Sequence, residues 1–116
     1  MEIGAHSHRH PILSSLSDAD VREELATCKR ELESIVGRPV RLFAYPNGRP
    51  ERDYCLRHTT MVREAGFDAA VSTARGAATY GADPYQLPRF TPWDRLPEPF
   101  IARLMLNWRT DYPVAQ

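Results

Sequence analysis

Three of the chain's four histidines, His6, His8 and His10, fall within five residues. They follow a short apolar segment, Ile3-Gly4-Ala5, and precede Pro11. Neutral imidazole is the commonest protein ligand for a transition metal. Several imidazoles at the end of one strand would converge on one ion. Zinc takes histidine nitrogens at about 2.0–2.1 Å, and a catalytic zinc keeps a position open for water. His6 and His10 are the pair expected to turn toward that ion. His8, between them, is expected to support the loop or to face solvent. The spacing points to metal chemistry without naming a reaction.

A site of this kind needs elements to position it. Met1 to Ala5 reads as a short buried strand, with Gly4 permitting close backbone approach. His6 to Ser15 reads as a loop, since Pro11 disfavours the helical region for His10. Ser17 is a good N-cap, and Asp18 and Asp20 suit the positive end of a helix dipole. Val21, Leu25, Cys28, Leu32 and Ile35 then recur at helical spacing, and Gly37 and Pro39 stop the helix. Val40 to Tyr45 reads as a second strand, ended by the turn signal Pro46-Asn47-Gly48. Asp53 to Ala65 reads as a helix closed by Gly66, and Phe67 to Ser72 as a third strand. Residues 74 to 86 read as a loop, and Leu87 to Phe90 as a fourth strand, with Pro88 fitting only a strand start or an edge. Pro97 to Trp108 reads as a helix with Phe100, Ile101, Leu104 and Trp108 on one stripe. Strands alternating with helices imply a parallel sheet with right-handed crossovers. In such folds chemistry gathers at the C-terminal strand ends. The histidines, the Pro46-Asn47-Gly48 turn and the segment after Phe90 all fall there.

The chain is long enough for one domain and not two. Fifteen basic and fifteen acidic side chains cancel, which argues against a nucleic-acid partner and favours a neutral substrate. No run approaches the roughly 18 apolar residues of a membrane span. Cys28 and Cys55 stand apart from each other and from the histidines, which excludes a zinc knuckle. Cys28 lies on the apolar stripe and is expected to be buried. No signal peptide is visible, and Met1 runs straight into a strand, as if the sequence began inside a domain.

The segment Glu2 to Pro11 resembles the second motif of the polysaccharide deacetylases, the NodB-like carbohydrate esterases. That motif reads His-Ser/Thr-x-x-His, often followed by Pro. Leu13 and Leu16-Ser17 match the family's lead into the next helix. Gly37 to Val40, followed by Phe43-Ala44-Tyr45-Pro46-Asn47-Gly48, resembles its third motif. Val62 to Ala70 resembles the helix-to-strand segment that follows, and Leu87-Pro88-Arg89-Phe90 a segment found in one branch. The resemblance spans roughly residues 2 to 91. It implies metal-dependent removal of N-acetyl, or O-acetyl, groups from a carbohydrate polymer. It implies an α/β fold: a partial (β/α) barrel of about four parallel strands with flanking helices, from a barrel of seven. Residues 1–116 would then be an incomplete deacetylase domain without its N-terminal part.

The same resemblance implies residue roles. His6 and His10 hold a divalent metal, zinc first, with cobalt, nickel or iron as alternatives. The Tyr45 backbone N–H helps hold the oxyanion, and Tyr45, Pro46 and Asn47 contact substrate. The family's aspartate pair, which supplies the third metal ligand and the general base, has no counterpart here. Neither has its acid histidine, because His58 sits on a helix and is expected at the surface. Where many relatives carry an arginine that orients the catalytic carboxylate, this chain has Ala44, and Arg89 is the candidate replacement. Trp93 is the candidate for stacking on a sugar face. The isolated chain is expected to be inactive, and the family's substrates lean toward the cell envelope. Two other readings stand beside this one. One is a non-catalytic metal- or sugar-binding module. The other is a metal hydrolase of the amidohydrolase or PHP type, in which His6 and His8 are the ligands.

Overall fold

The computed structural model describes residues 1–116. Its elements are β1 (Gly4–Ala5), α1 (Asp18–Val36), β2 (Leu42–Ala44), α2 (Leu56–Glu64), β3 (Ala69–Val71) and α3 (Pro97–Trp108), with a 3-10 turn at Leu13–Ser15. The strands are parallel and lie in the order β1-β2-β3. Right-handed crossovers between sequential neighbours put successive helices on the same face of a sheet, and α1 packs against α2. That winding is a segment of a (β/α) barrel.

Register decides what each face of the sheet does. Ala5 pairs with Phe43, and Phe43 with Ala70. These three lie on one face, all buried, under Val21 and Leu25 of α1 and Met61 and Val62 of α2. Gly4 and Leu42 lie on the other face and are exposed. A Cβ on Gly4 would stand 3.1 Å from the Leu42 carbonyl oxygen, so the close approach expected there is used.

The helix signals act as expected in α1. Ser17 Oγ accepts the Asp20 N–H at 3.2 Å, and Gly37 closes the helix at φ 68°. Elsewhere tertiary structure moves the boundaries. α2 begins three residues later than expected, because Asp53 is spent on a turn: its carboxylate accepts the Arg49 N–H at 2.9 Å. The fourth strand is reduced to one parallel bridge, Val71 to Leu87. Leu87 N–H donates to Ala70 at 3.0 Å and Leu87 O accepts from Ser72 at 2.8 Å, and Pro88 has no N–H to extend the ladder. Two apolar stripes are longer than the core they serve. Ile35 is 78 % exposed. On α3 no residue is buried, and Ile101, Leu104 and Trp108 face outward. Amphipathic spacing sets which face of a helix is apolar, and only a partner buries it.

Candidate metal centre

His6 follows directly from β1, and its Nδ1 lies 2.7 Å from the carbonyl oxygen of Ala44, the last residue of β2. A carbonyl only accepts, so Nδ1 is the nitrogen that donates here, and Nε2 is the one left to meet an ion. This is how metal-binding histidines are usually oriented, with one ring nitrogen tied down and the other free. The His6 and His10 rings lie 4.7 Å apart, edge to face at 67°. Two imidazoles bound to one ion at about 2.0–2.1 Å have ring centres about 5 Å apart. The pair therefore has the spacing that a shared ion requires.

The loop that carries them is strained and then clamped. Ser7 and His10 adopt φ of 60° and 61°, a left-handed conformation that costs a non-glycine residue about 1–2 kcal/mol. Glu24 of α1, only 2 % exposed, holds the loop. Its Oε2 accepts the His8 and Arg9 N–H groups at 2.9 Å each, and its Oε1 accepts Arg9 Nε at 2.7 Å. Burial pushes the Glu24 carboxyl up, but these donors outweigh it and hold the carboxyl below the usual carboxylate range. Glu24 was not among the residues expected at the site. It falls at the i+3 position of the Val21-Glu24-Leu25-Cys28 stripe, and an acid inside an apolar stripe is the signal that marks it.

His8 turns away from the pair, and its Nδ1 lies 3.2 Å from Glu31 of α1. Ligation through His6 and His8, the alternative reading, would require His8 to leave that partner. Ser7, which follows His6 in the sequence, has a buried hydroxyl with no hydrogen-bond partner. Two imidazoles of suitable spacing and an orphaned hydroxyl fit a metal as part of its shell. A catalytic zinc has three protein ligands, and no third histidine, cysteine or carboxylate joins this pair. His58 is not at the surface as expected but fully buried. It sits at the start of α2, where its Nδ1 accepts the Cys55 N–H at 3.0 Å. Burial, with the Arg57 guanidinium beside it, lowers its pKa. Cys28 is buried as expected, which raises its thiol pKa.

The bend beside the pair corrects the role expected of Tyr45. Its backbone N–H donates to Val71 O at 3.1 Å, continuing the sheet ladder, so that donor is already spent. Its ring is buried, stacked on Tyr54 at 3.9 Å, and its hydroxyl donates to Tyr85 O at 2.9 Å. Pro46 is also buried and has no N–H. Asn47 stands exposed at φ 57°, and its N–H makes no hydrogen bond. Next to it, Gly48 N–H closes on Pro46 O at 2.6 Å. The free donor of the bend is thus Asn47. Arg89 and Trp93 lie together along a cavity on the far side of the bend, and neither His6 nor His10 lines it.

The family model for polysaccharide deacetylases matches residues 1–70. The chain belongs to the polysaccharide deacetylase family. No curated protein matches the sequence. Among solved structures, the chain is similar to Streptococcus pyogenes deacetylase PplD in complex with acetate, at 22 % identity and a TM-score of 0.74, covering 90 % of this chain and 43 % of that one. It is also similar to BC0361, a polysaccharide deacetylase from Bacillus cereus, at 25 % identity and a TM-score of 0.64, covering 76 % of this chain and 27 % of that one. The chain thus spans less than half the length of either structure. The likeness to PplD shows the shared fold. The matched residues 1–70 include His6 and His10, whose rings lie 4.7 Å apart.

Proposed function

We propose that this chain forms the metal-holding side of a deacetylase active site acting on an acetylated carbohydrate polymer. The observation that carries the proposal is the facing pair His6 and His10, with His6 oriented by the Ala44 carbonyl. These two residues would hold a divalent metal, zinc in first place. When bound, the metal polarises the acetyl carbonyl and acidifies a water. The chain's own residues do the positioning. Ala44 O fixes the His6 tautomer. Glu24 fixes the loop between the ligands. The Asn47 N–H, not that of Tyr45, donates to the acetyl oxygen as it gains charge. Arg89, expected to orient a carboxylate, is assigned with Trp93 to the polymer instead. The third ligand, the general base and the acid have no counterpart among these residues, so the chain alone is expected to leave acetylated chitooligosaccharides intact. Multiple turnover by the chain alone would overturn that part of the proposal.

Cobalt titration followed by its visible absorption tests the metal pair. One ion is expected to bind per chain. His6→Ala and His10→Ala should each abolish binding, and His8→Ala should leave it unchanged. Loss in His8→Ala with retention in His10→Ala would overturn the assignment and restore the His6-His8 reading. The missing third ligand favours one competing view, a binding module without catalysis. A parent protein that binds metal through the same pair and still does not release acetate would establish that view.

A further inference from the structure

Beyond the bend lies a cavity of about 680 Å³ whose wall carries four arginines, Arg49, Arg75, Arg89 and Arg103, and no acidic side chain. Asp53 pairs with Arg49 at 3.3 Å, and Asp94 with Arg103 at 2.6 Å. Arg75 and Arg89 pair with no carboxylate. Two uncompensated guanidiniums thus share one concave wall in a chain whose formal net charge is zero. Converging like charges repel, and a concave wall focuses their field on whatever enters. Guanidinium is the side chain whose planar fork matches an oxyanion through two parallel hydrogen bonds. Trp93 lines the same cavity with 78 % of its surface exposed. It presents a large amphipathic ring that the fold does not use.

The cavity is continuous with the bend. Thr73 lines it, and Thr73 donates from Oγ1 to Asn47 O at 2.7 Å and from its N–H to Gly48 O at 2.9 Å. Asn107 also lines the cavity. Its amide bonds both the N–H and the carbonyl of Gly76, at 2.8 and 2.7 Å, and so fixes α3 across the opening.

We infer that this cavity is a subsite for an anionic saccharide unit, one bearing a phosphate or carboxylate group. The inference deepens the deacetylase reading and rests on it for the saccharide. A polymer with an acetyl group at the Asn47 bend would lay a neighbouring unit against Thr73 and Trp93, with its acidic group on Arg75 and Arg89. The neutral substrate expected from the balanced charge is thereby replaced: the balance is global and this surplus is local.

The test reads Trp93 fluorescence in a Trp108→Phe background, with a metal chelator present. The chelator separates this outcome from the histidine reading. An N-acetylglucosamine disaccharide carrying a phosphomonoester, or one with a uronic acid, should bind at least about tenfold tighter than the neutral disaccharide, as expected for charge-assisted hydrogen bonds. Whichever acid binds identifies the group, and either supports the subsite. The preference should shrink with added salt and vanish in Arg75→Gln combined with Arg89→Gln, both exposed positions where circular dichroism should show an unchanged fold. Equal affinity for acidic and neutral disaccharides would overturn the inference. So would a preference that survives the double variant. Inorganic phosphate binding as tightly as the acidic disaccharide would reduce the cavity to an anion hole without a sugar site, and a thymidine oligonucleotide binding tighter than either would assign it to nucleic acid. Both results also overturn it.

Discussion

Removing the Glu24 carboxylate should loosen the histidine loop more than removing the arginine it pairs with. The loop holds Ser7 and His10 in left-handed backbone, at roughly 2–4 kcal/mol for the two together. Glu24 opposes that strain with two backbone N–H groups at 2.9 Å and one guanidinium at 2.7 Å. Hydrogen bonds to a charged group contribute about 1.5–3 kcal/mol each. The Arg9 side chain is 75 % exposed, and solvent screens an ion pair of that kind so that it contributes little. The two backbone bonds therefore carry most of the clamp. Arg9→Ala should leave the urea midpoint close to that of the wild type. Glu24→Gln keeps one acceptor oxygen but loses the charge and turns an NH2 toward Arg9, at about 2 kcal/mol. Glu24→Ala loses all three bonds, at about 3 kcal/mol or more. Urea denaturation measures these differences. Cobalt affinity should also fall about 10–100-fold in Glu24→Gln, as when a residue that orients metal ligands is removed. Because the folded carboxyl is held low, its stabilisation is whole above the pKa of the unfolded carboxyl and is lost as pH falls through the lower folded value. Arg9→Ala matching Glu24→Ala in cost would refute the clamp, as would unchanged cobalt affinity in Glu24→Gln.

Three further outcomes follow from buried groups. The lowered pKa of His58 means that the unfolded chain takes up its proton first on acidification. Stability should fall as pH drops below about 6.5 toward the lower folded value, and His58→Gln should flatten the urea midpoint across that window. Gly76 sits at φ 136°, where a Cβ would meet Thr110 O at 2.6 Å and Tyr112 Cβ at 2.8 Å. Gly76→Ala should cost at least about 1–3 kcal/mol and lower Tm by several degrees in calorimetry. Tyr45→Phe removes the hydrogen bond to Tyr85 O, a loss of about 1 kcal/mol. Its cobalt affinity should match wild type, because the ring is part of the core.

How far the sequence reaches depends on whether a signal is local. The Ser17 cap and the Gly37 stop act within one turn of α1, so its 19 residues were legible. The closeness of His6 and His10 was legible because both lie on one loop within five residues. His58 was not: it is fully buried, and neither the spacing of α2 nor any local signal marks it as an inward position. The outward stripe on α3 shows the converse: Ile101 and Leu104 have helical spacing, but spacing names no partner. Tyr45 and Asn47 divide the same way. The turn signal placed the bend, while the choice of free N–H was made by Val71, 26 positions away along the chain.

The arginine cavity marks the furthest point from local reading. Its four guanidiniums come from the bend, the loop after β3, the segment after the Leu87 bridge and the middle of α3, and no periodicity links positions 49, 75, 89 and 103. Parallel strands point their C-terminal ends the same way, so residues from separate βα units meet at one mouth. The same rule brings His6, at the end of β1, onto the carbonyl at the end of β2. One geometric fact thus explains both halves of the site. The histidines gather at the ends of β1 and β2, and the cations gather beyond the ends of β2 and β3, with the Pro46-Asn47-Gly48 bend between them. A net charge of zero could not reveal this, because summation erases position. Since Thr73 bonds the bend and lines the cavity, a shift in either should be felt by the other, and the acetyl and acidic groups of one polymer would be read together.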